Sequence, residues 1–365
     1  MNVSRSPRRV RVLLKTLHLW LGLSLGVVLS LVCMAGSVLM FEDPLVAAMH
    51  PELIDRPSPD LGVQGKALQT IMASSEGKSL RSISLPDDDF PVFEGALPGR
   101  GKIYFDGTTG EVVLRRSGSS DPLLLLMDWH THLLSGKIGE TVLGCVALTG
   151  LFMILSGVWL YWPGRRRALT HLRPHARPPI QRWASWHRFV GVMALPLLLV
   201  MIGTGTTMAY RGSVRAGLMS LFGEPPSQRP PDVPWVEKPV NWSAVLVAAQ
   251  EAAPDAQISR LNLPARDGAA LVVRLRRPGE WNPTGRSTLW MDAPAARVLG
   301  GEDATRAGTG SRISNALFPI HSAAVGGMLW RVVASFTGLL PMFMLVTGFL
   351  FWRARRNRPP GRALG

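Results

Sequence analysis

Five of the eight histidines in this 365-residue chain sit where pairs of them could share one iron atom. His18 and His187 open two long apolar runs, and His130, His132 and His321 stand just ahead of two others. A neutral imidazole is an axial ligand for haem iron, and two helices that each offer one histidine at the same depth can hold one b-type haem between them. Two such layers would hold two haems b, one near each end of a bundle. For any single histidine the competing reading is an interfacial residue whose ring packs while its polar tip meets water. The paired placement at matching depths favours ligation. His132 lies two residues from His130, so on a helix the two point about 200° apart and only one can face a given partner. His50, His171 and His175 have no counterpart and read as surface residues. Met193, Met201, Met208, Met342 and Met344 read as core fillers rather than ligands.

The elements that must position these histidines are membrane spans. Leu19 to Phe41, Thr141 to Trp162, Phe189 to Tyr210 and Val332 to Trp352 contain no Asp, Glu, Lys or Arg, and at 21 to 23 residues each is long enough to cross the hydrocarbon of a bilayer. The first run is too long for a removable signal peptide and lacks a small-residue cleavage site after it, so it reads as an anchor. The net charge of +15 is concentrated rather than spread. Residues 1 to 17, 163 to 186 and 353 to 365 carry five, six and five basic residues with no acid, and elsewhere twenty-four basic residues meet twenty-five acidic ones. That is the positive-inside pattern, which predicts cytoplasmic termini and a cytoplasmic middle loop in a multi-pass protein of the bacterial inner membrane. It accounts for the basic charge without nucleic acid as a partner. Cys33 and Cys145 fall inside spans, and there is no CxxCH, so neither a disulfide framework nor covalent haem is expected.

The predicted fold is a mainly α membrane protein. Its four-transmembrane-helix bundle is built as an internal duplication, with two periplasmic α+β modules. The expected order is a cytoplasmic N-terminus and first span (1–41), a first external module (42–128), and a histidine segment with the second span (129–162). A basic loop (163–186), a third span (187–210), a second external module (211–316), a histidine segment with the fourth span (317–352) and a cytoplasmic tail (353–365) follow. Helix signals at Gly65 to Ser75 and Trp242 to Ala253 precede strand signals at Lys102 to Leu114, Ala269 to Leu275 and Ser287 to Leu299. LHLWLG at Leu17 to Gly22 and WHRFVG at Trp186 to Gly191 share H-x-[WF]-[LV]-G, and His130 and His321 each lie eleven residues before a charge-free run. Weak internal symmetry of this kind is common in membrane proteins.

With LHLWLG, WHTHLLSGKIGETVLG, LSGVWLYWPGRR, WHRFVG, IHSAAVGGMLWR and TGFLFWRARR in place, the sequence resembles the PepSY-associated transmembrane family along nearly its whole length. Within that family it resembles the inner-membrane ferric-siderophore reductases that carry two b-type haems. FDGTTGEVV and WMDAPAARVL look like terminal strands of PepSY-type modules. The resemblance implies haem ligands at His18, His187, His130 and His321, with His132 as an extra histidine beside the ligand position. It also implies a ferric siderophore as substrate, reduced to Fe(II) in the periplasm. Sequence proximity alone suggests that Trp129, Arg312 and residues of the two external modules line a pocket over the periplasmic haem.

No GxGxxG fingerprint is present, so the electron donor is expected to be a membrane quinol or a partner reductase rather than a bound dinucleotide. Two rivals differ in kind. One is a non-enzymatic PepSY-type sensor or interaction protein, and the other is a di-haem carrier that passes electrons to another redox protein.

Overall fold

The computed structural model describes residues 7–162, 172–233 and 239–357. His171, much of the middle basic loop and the end of the C-terminal basic stretch lie outside the described residues. In chain order the first half contains α1 (Pro7–Leu23), α2 (Leu25–Leu39), α3 (Glu42–Met49), α4 (Leu61–Ala73), α5 (Ser75–Lys78), β1 (Ser82–Ser84), β2 (Val92–Ala96), β3 (Lys102–Asp106), β4 (Val112–Arg116), α6 (Pro122–His132) and α7 (Gly136–Tyr161). The second half contains α8 (Pro179–Met193), α9 (Leu195–Ala209), α10 (Arg211–Leu221), α11 (Trp242–Ala252), β5 (Gln257–Asn262), β6 (Leu271–Arg276), β7 (Ser287–Asp292), β8 (Arg297–Glu302), α12 (Thr309–His321) and α13 (Gly327–Arg356). The chain divides into two compact units, 1–40 with 127–210 and 326–365, and 41–126 with 211–325.

In the first unit α7 and α13 are each long and apolar enough to cross a bilayer. The other two apolar runs are bent pairs, α1 with α2 at 52° and α8 with α9 at 67°, which brings the candidate spans to four if each pair is one span. Both breaks have local causes. Pro196 lacks the N–H that would continue α8 into α9 and its ring disfavours the preceding helical turn. At Ser24 the hydroxyl donates to the carbonyl of Trp20 at 2.7 Å, a back-bond that bends helices, between Gly22 and Gly26. The bends let each broken helix touch both straight ones: α1 packs on α7 and α2 on α13, while α8 packs on α13 and α9 on α7.

Small residues sit at these crossings. A Cβ on Gly338 would lie 2.7 Å from the carbonyl oxygen of Cys33, and Ser37 and Ser335 exchange hydroxyl-to-carbonyl hydrogen bonds of 2.7 and 3.0 Å across the same contact. Such close backbone approach is how helices associate where lipid removes the hydrophobic drive. Large apolar side chains, among them Leu155, Phe336 and Leu329, point outward. That surface suits acyl chains, and the protein is a membrane protein.

The second unit is one antiparallel sheet with strand order β4-β3-β2-β1-β5-β6-β7-β8. Strands from the two external segments therefore join through the β1–β5 pair, with Ile83 opposite Leu261, instead of forming separate sheets. One face alternates Ile83, Phe93, Ile103, Phe105, Leu261, Leu271, Val273 and Met291, all fully buried, and α4 and α11 cover it. Burying each such side chain contributes about 1.5–3 kcal/mol. The helices start at Asp60 and Asn241, whose side chains accept from the amides of Val63 (2.8 Å) and Ala244 (3.1 Å). They cross at Gly65, where a Cβ would come within 2.7 Å of the Ser243 hydroxyl.

Candidate cofactor site

The broken helices bring His18 and His187 together inside the first unit. Their ring centroids are 6.4 Å apart with planes at 79°. Two imidazoles on opposite sides of one metal, each bonded at about 2 Å through a nitrogen, would have centroids about 6.3 Å apart. In each ring Nδ1 is already engaged. His18 Nδ1 is 2.8 Å from the Ser156 hydroxyl, and His187 Nδ1 is 3.1 Å from both the Met344 carbonyl and the Thr347 hydroxyl. A hydrogen bond at one ring nitrogen orients the imidazole and commits the other nitrogen to ligation.

The surroundings repeat as well. Ser156-Gly157 on α7 faces His18 as Thr347-Gly348 on α13 faces His187, and a Cβ on either glycine would lie 3.4 to 3.5 Å from the ring's Cε1. Gly22 and Gly191, one turn after each histidine, face the terminal methyls of Met153 and Met344, each 2.9 Å from where a Cβ would be. Methionine is the most adaptable filler beside such a site. Among the described residues no three His, Cys, Asp or Glu side chains converge to hold a metal ion. Bis-axial haem ligation needs only two, and the residues present fit it.

His130 and His132 share α6 but separate in role. His130 Nδ1 lies 2.8 Å from the Val32 carbonyl on α2, and its ring rests against Gly36, where a Cβ would lie 2.7 Å from Cε1. His132 Nδ1 lies 2.6 Å from the Thr131 hydroxyl and 3.6 Å from Asp128, on a more exposed side chain. His130 is thus the one built into the helix crossing, anchored like the first pair. His321 is the last residue of α12, half-buried, in the second unit. His50 pairs with Glu52 at 3.2 Å and the backbone amide of His175 donates to Ser185, as surface and loop residues do. The glycine and hydroxyl residues facing the rings do not stand out in the sequence by themselves. Their signal is the shared [ST]-G at 156–157 and 347–348, legible once the repeat is aligned.

Residues 15–355 match the PepSY-associated TM region family. The chain belongs to this family. No curated protein matches the chain at a significant level. The match takes in the histidine positions 18, 130, 132, 187 and 321 and the sheet unit as well as the spans, so this PepSY-associated protein is a family member over nearly its full length.

Proposed function

We propose that this protein is a transmembrane electron carrier of the bacterial inner membrane that holds two b-type haems and reduces ferric siderophore chelates on the periplasmic side, releasing Fe(II). The observation that carries the reading is the His18–His187 pair, two imidazoles at 6.4 Å and near-perpendicular, each tethered at Nδ1. Haem, when bound, supplies reversible one-electron chemistry whose potential follows its axial ligands, hydrogen bonding and burial.

The chain's own part is positional. Ser156 fixes the His18 ring, and Thr347 with the Met344 carbonyl fixes the His187 ring. The Val32 carbonyl holds His130, the ligand proposed for the second haem, and sequence spacing gives His321 as its counterpart. In this reading the chain is a duplicated unit of span, PepSY-like external segment and span. Equal spacing supports it: His18 to His187 and Gly22 to Gly191 differ by 169, and Met153 to Met344 and Ser156 to Thr347 by 191. The basic ends of the spans put both termini in the cytoplasm. Crossing hydrocarbon is what a charged soluble carrier does only at high cost. At the acceptor, one-electron reduction softens iron's preference for hard oxygen donors and loosens the chelate, which asks for no covalent step by the protein. A quinol or a partner reductase is the donor.

The test is a sealed proteoliposome with dithionite inside and a ferric chelate plus an Fe(II)-specific chromogenic chelator outside. The expected result is external Fe(II) formation that depends on the protein. Formation no faster than in empty vesicles contradicts the reading.

A further inference from the structure

The sheet face opposite α4 and α11 is treated differently in its two halves. Under β2–β4 it is apolar or charge-balanced. Val92 and Tyr104 pack with Val46, Leu53 and Leu123, and Arg116 makes a paired bond to Asp121 (2.9 and 2.8 Å) and a third to the Tyr104 hydroxyl (3.1 Å). Lys102 lies between Glu94 (3.2 Å) and Glu42 (3.4 Å). Burial pushes the Glu94 carboxyl up, but the Lys102 ammonium outweighs it and holds the group below its ordinary value.

Under β5–β7 the same face carries Arg260, Arg274 and Arg286, which among the described residues make no ion pair at contact distance with any carboxylate, although Glu94 lies in the field of Arg260 and Glu280 in that of Arg274 and Arg286. Arg260 and Arg274 are direct cross-strand partners, an arrangement in which like charges repel. Arg286 is set beside β6 by Gly285, whose φ of +68° and contact with the Leu275 backbone admit no side chain. Burial, with repulsion from Arg274 and from Arg211 and Arg215 on α10, brings Arg286 down to about 10, and burial with repulsion from Arg260 and Arg211 lowers Arg274. The Nε atoms of Arg274 and Arg286 are buried with no hydrogen-bond partner. Arg260 hydrogen-bonds the Ser84 hydroxyl (3.1 Å) with Glu94 more distant, and Arg215 hydrogen-bonds Asn315 (3.2 Å) and Ser227 (3.1 Å) with Glu224 more distant. Glu280 offsets part of the charge on Arg274 and Arg286, but its oxygens accept from the Ser287 hydroxyl (2.6 Å) and from the amides of Arg277, Arg286 and Ser287 rather than from a guanidinium. Forked donors held together against their own repulsion, with unmet hydrogen bonds, match planar oxyanions.

We propose that Arg260, Arg274 and Arg286, with Arg211 and Arg215, form a binding site for a ligand bearing several carboxylates. Resting on the reading above, this makes the substrate an anionic, carboxylate-rich ferric chelate rather than an uncharged one.

The test is isothermal titration calorimetry on the full chain in nanodiscs with gallium(III) citrate, a redox-inert probe, against an uncharged gallium hydroxamate. Expected are binding of the citrate complex in preference to the hydroxamate, weakening with salt, and a loss of roughly tenfold or more in each of Arg274→Gln and Arg286→Gln. The variants' ligand-free melting temperature should be unchanged or higher, because a removed like charge relieves strain, whereas a purely structural arginine would lower it. No citrate binding, or equal binding by the variants, overturns the proposal. So does loss of binding when phosphatidylglycerol is added to the nanodisc, which would assign the site to lipid headgroups. The probe needs no electron transfer. A colourless protein that binds it would therefore sink the haem reading alone, and a haem-loaded protein that ignores it would sink this inference alone.

Discussion

Chains carrying His187→Ala are expected to lose transmembrane iron reduction by at least about 100-fold, beyond the range seen for outer-shell partners of a metal ligand. They should keep roughly half of the haem. The geometry of the pair is the reason: His18 is 6.4 Å away, and among the described residues it has no other histidine ring stacked near it, so nothing replaces the missing ligand. The α8–α13 contact loses one ring but keeps its helix packing, and the protein should still insert. Free imidazole added to the variant should restore part of the activity, a response that a merely structural histidine would not give. The check is the proteoliposome assay with and without imidazole, alongside haem quantification. An unchanged rate would remove His187 from any electron path.

Gly36→Val is expected to be almost as damaging, although glycine has no chemistry of its own. A Cβ there would lie 2.7 Å from Cε1 and 3.2 Å from Nδ1 of His130, while the ring is held in place by its bond to the Val32 carbonyl. The ring must swing away or α2 must shift, and overpacking of this kind costs about 1–3 kcal/mol. The expected outcome is loss of about one haem per chain, from the end opposite to the one emptied by His187→Ala. Gly203→Ala is the control, because nothing lies within 4 Å of a Cβ at that position in the same unit. Spectra of the three proteins decide it. A normal Gly36→Val spectrum would mean that His130 is not held for ligation.

Much of the positioning is legible in the amino-acid sequence. The four apolar runs, the shared H-x-[WF]-[LV]-G and the equal offsets of His130 and His321 all reflect periodicity and spacing, which sequence carries directly. The breaks at Ser24 and Ala194 are not legible there, because a serine among glycines and a proline near a helix start do not by themselves say that a span bends by 52° or 67°. The different surroundings of His130 and His132 are not legible either, because the Val32 carbonyl 2.8 Å from His130 Nδ1 comes from α2, far away in the sequence. In the external part, the helices at 61–73 and 242–252 and the β3–β4 and β7–β8 hairpins follow from apolar patterning and turn residues. β1 (Ser-Ile-Ser) and β5 (Gln-Ile-Ser-Arg-Leu-Asn) do not, since both are largely polar and are held as strands by pairing with β2 and β6 as well as with each other. That pairing is what fuses the two segments into one sheet. The arginine cluster is invisible in the sequence for a related reason. Outside the three basic stretches the chain is close to neutral, and only strand register places Arg260 opposite Arg274, while the β6–β7 loop turns Glu280 to backbone amides.

The most direct test of the central claim is haem stoichiometry. The dithionite-reduced minus oxidised spectrum, with pyridine haemochrome quantification, should be measured on detergent-purified protein expressed with ample haem, for the wild type, His18→Ala and His321→Ala. Two haems b per chain, with each substitution removing about one, is the predicted result. A colourless wild type, or one whose haem content neither substitution changes, would contradict it.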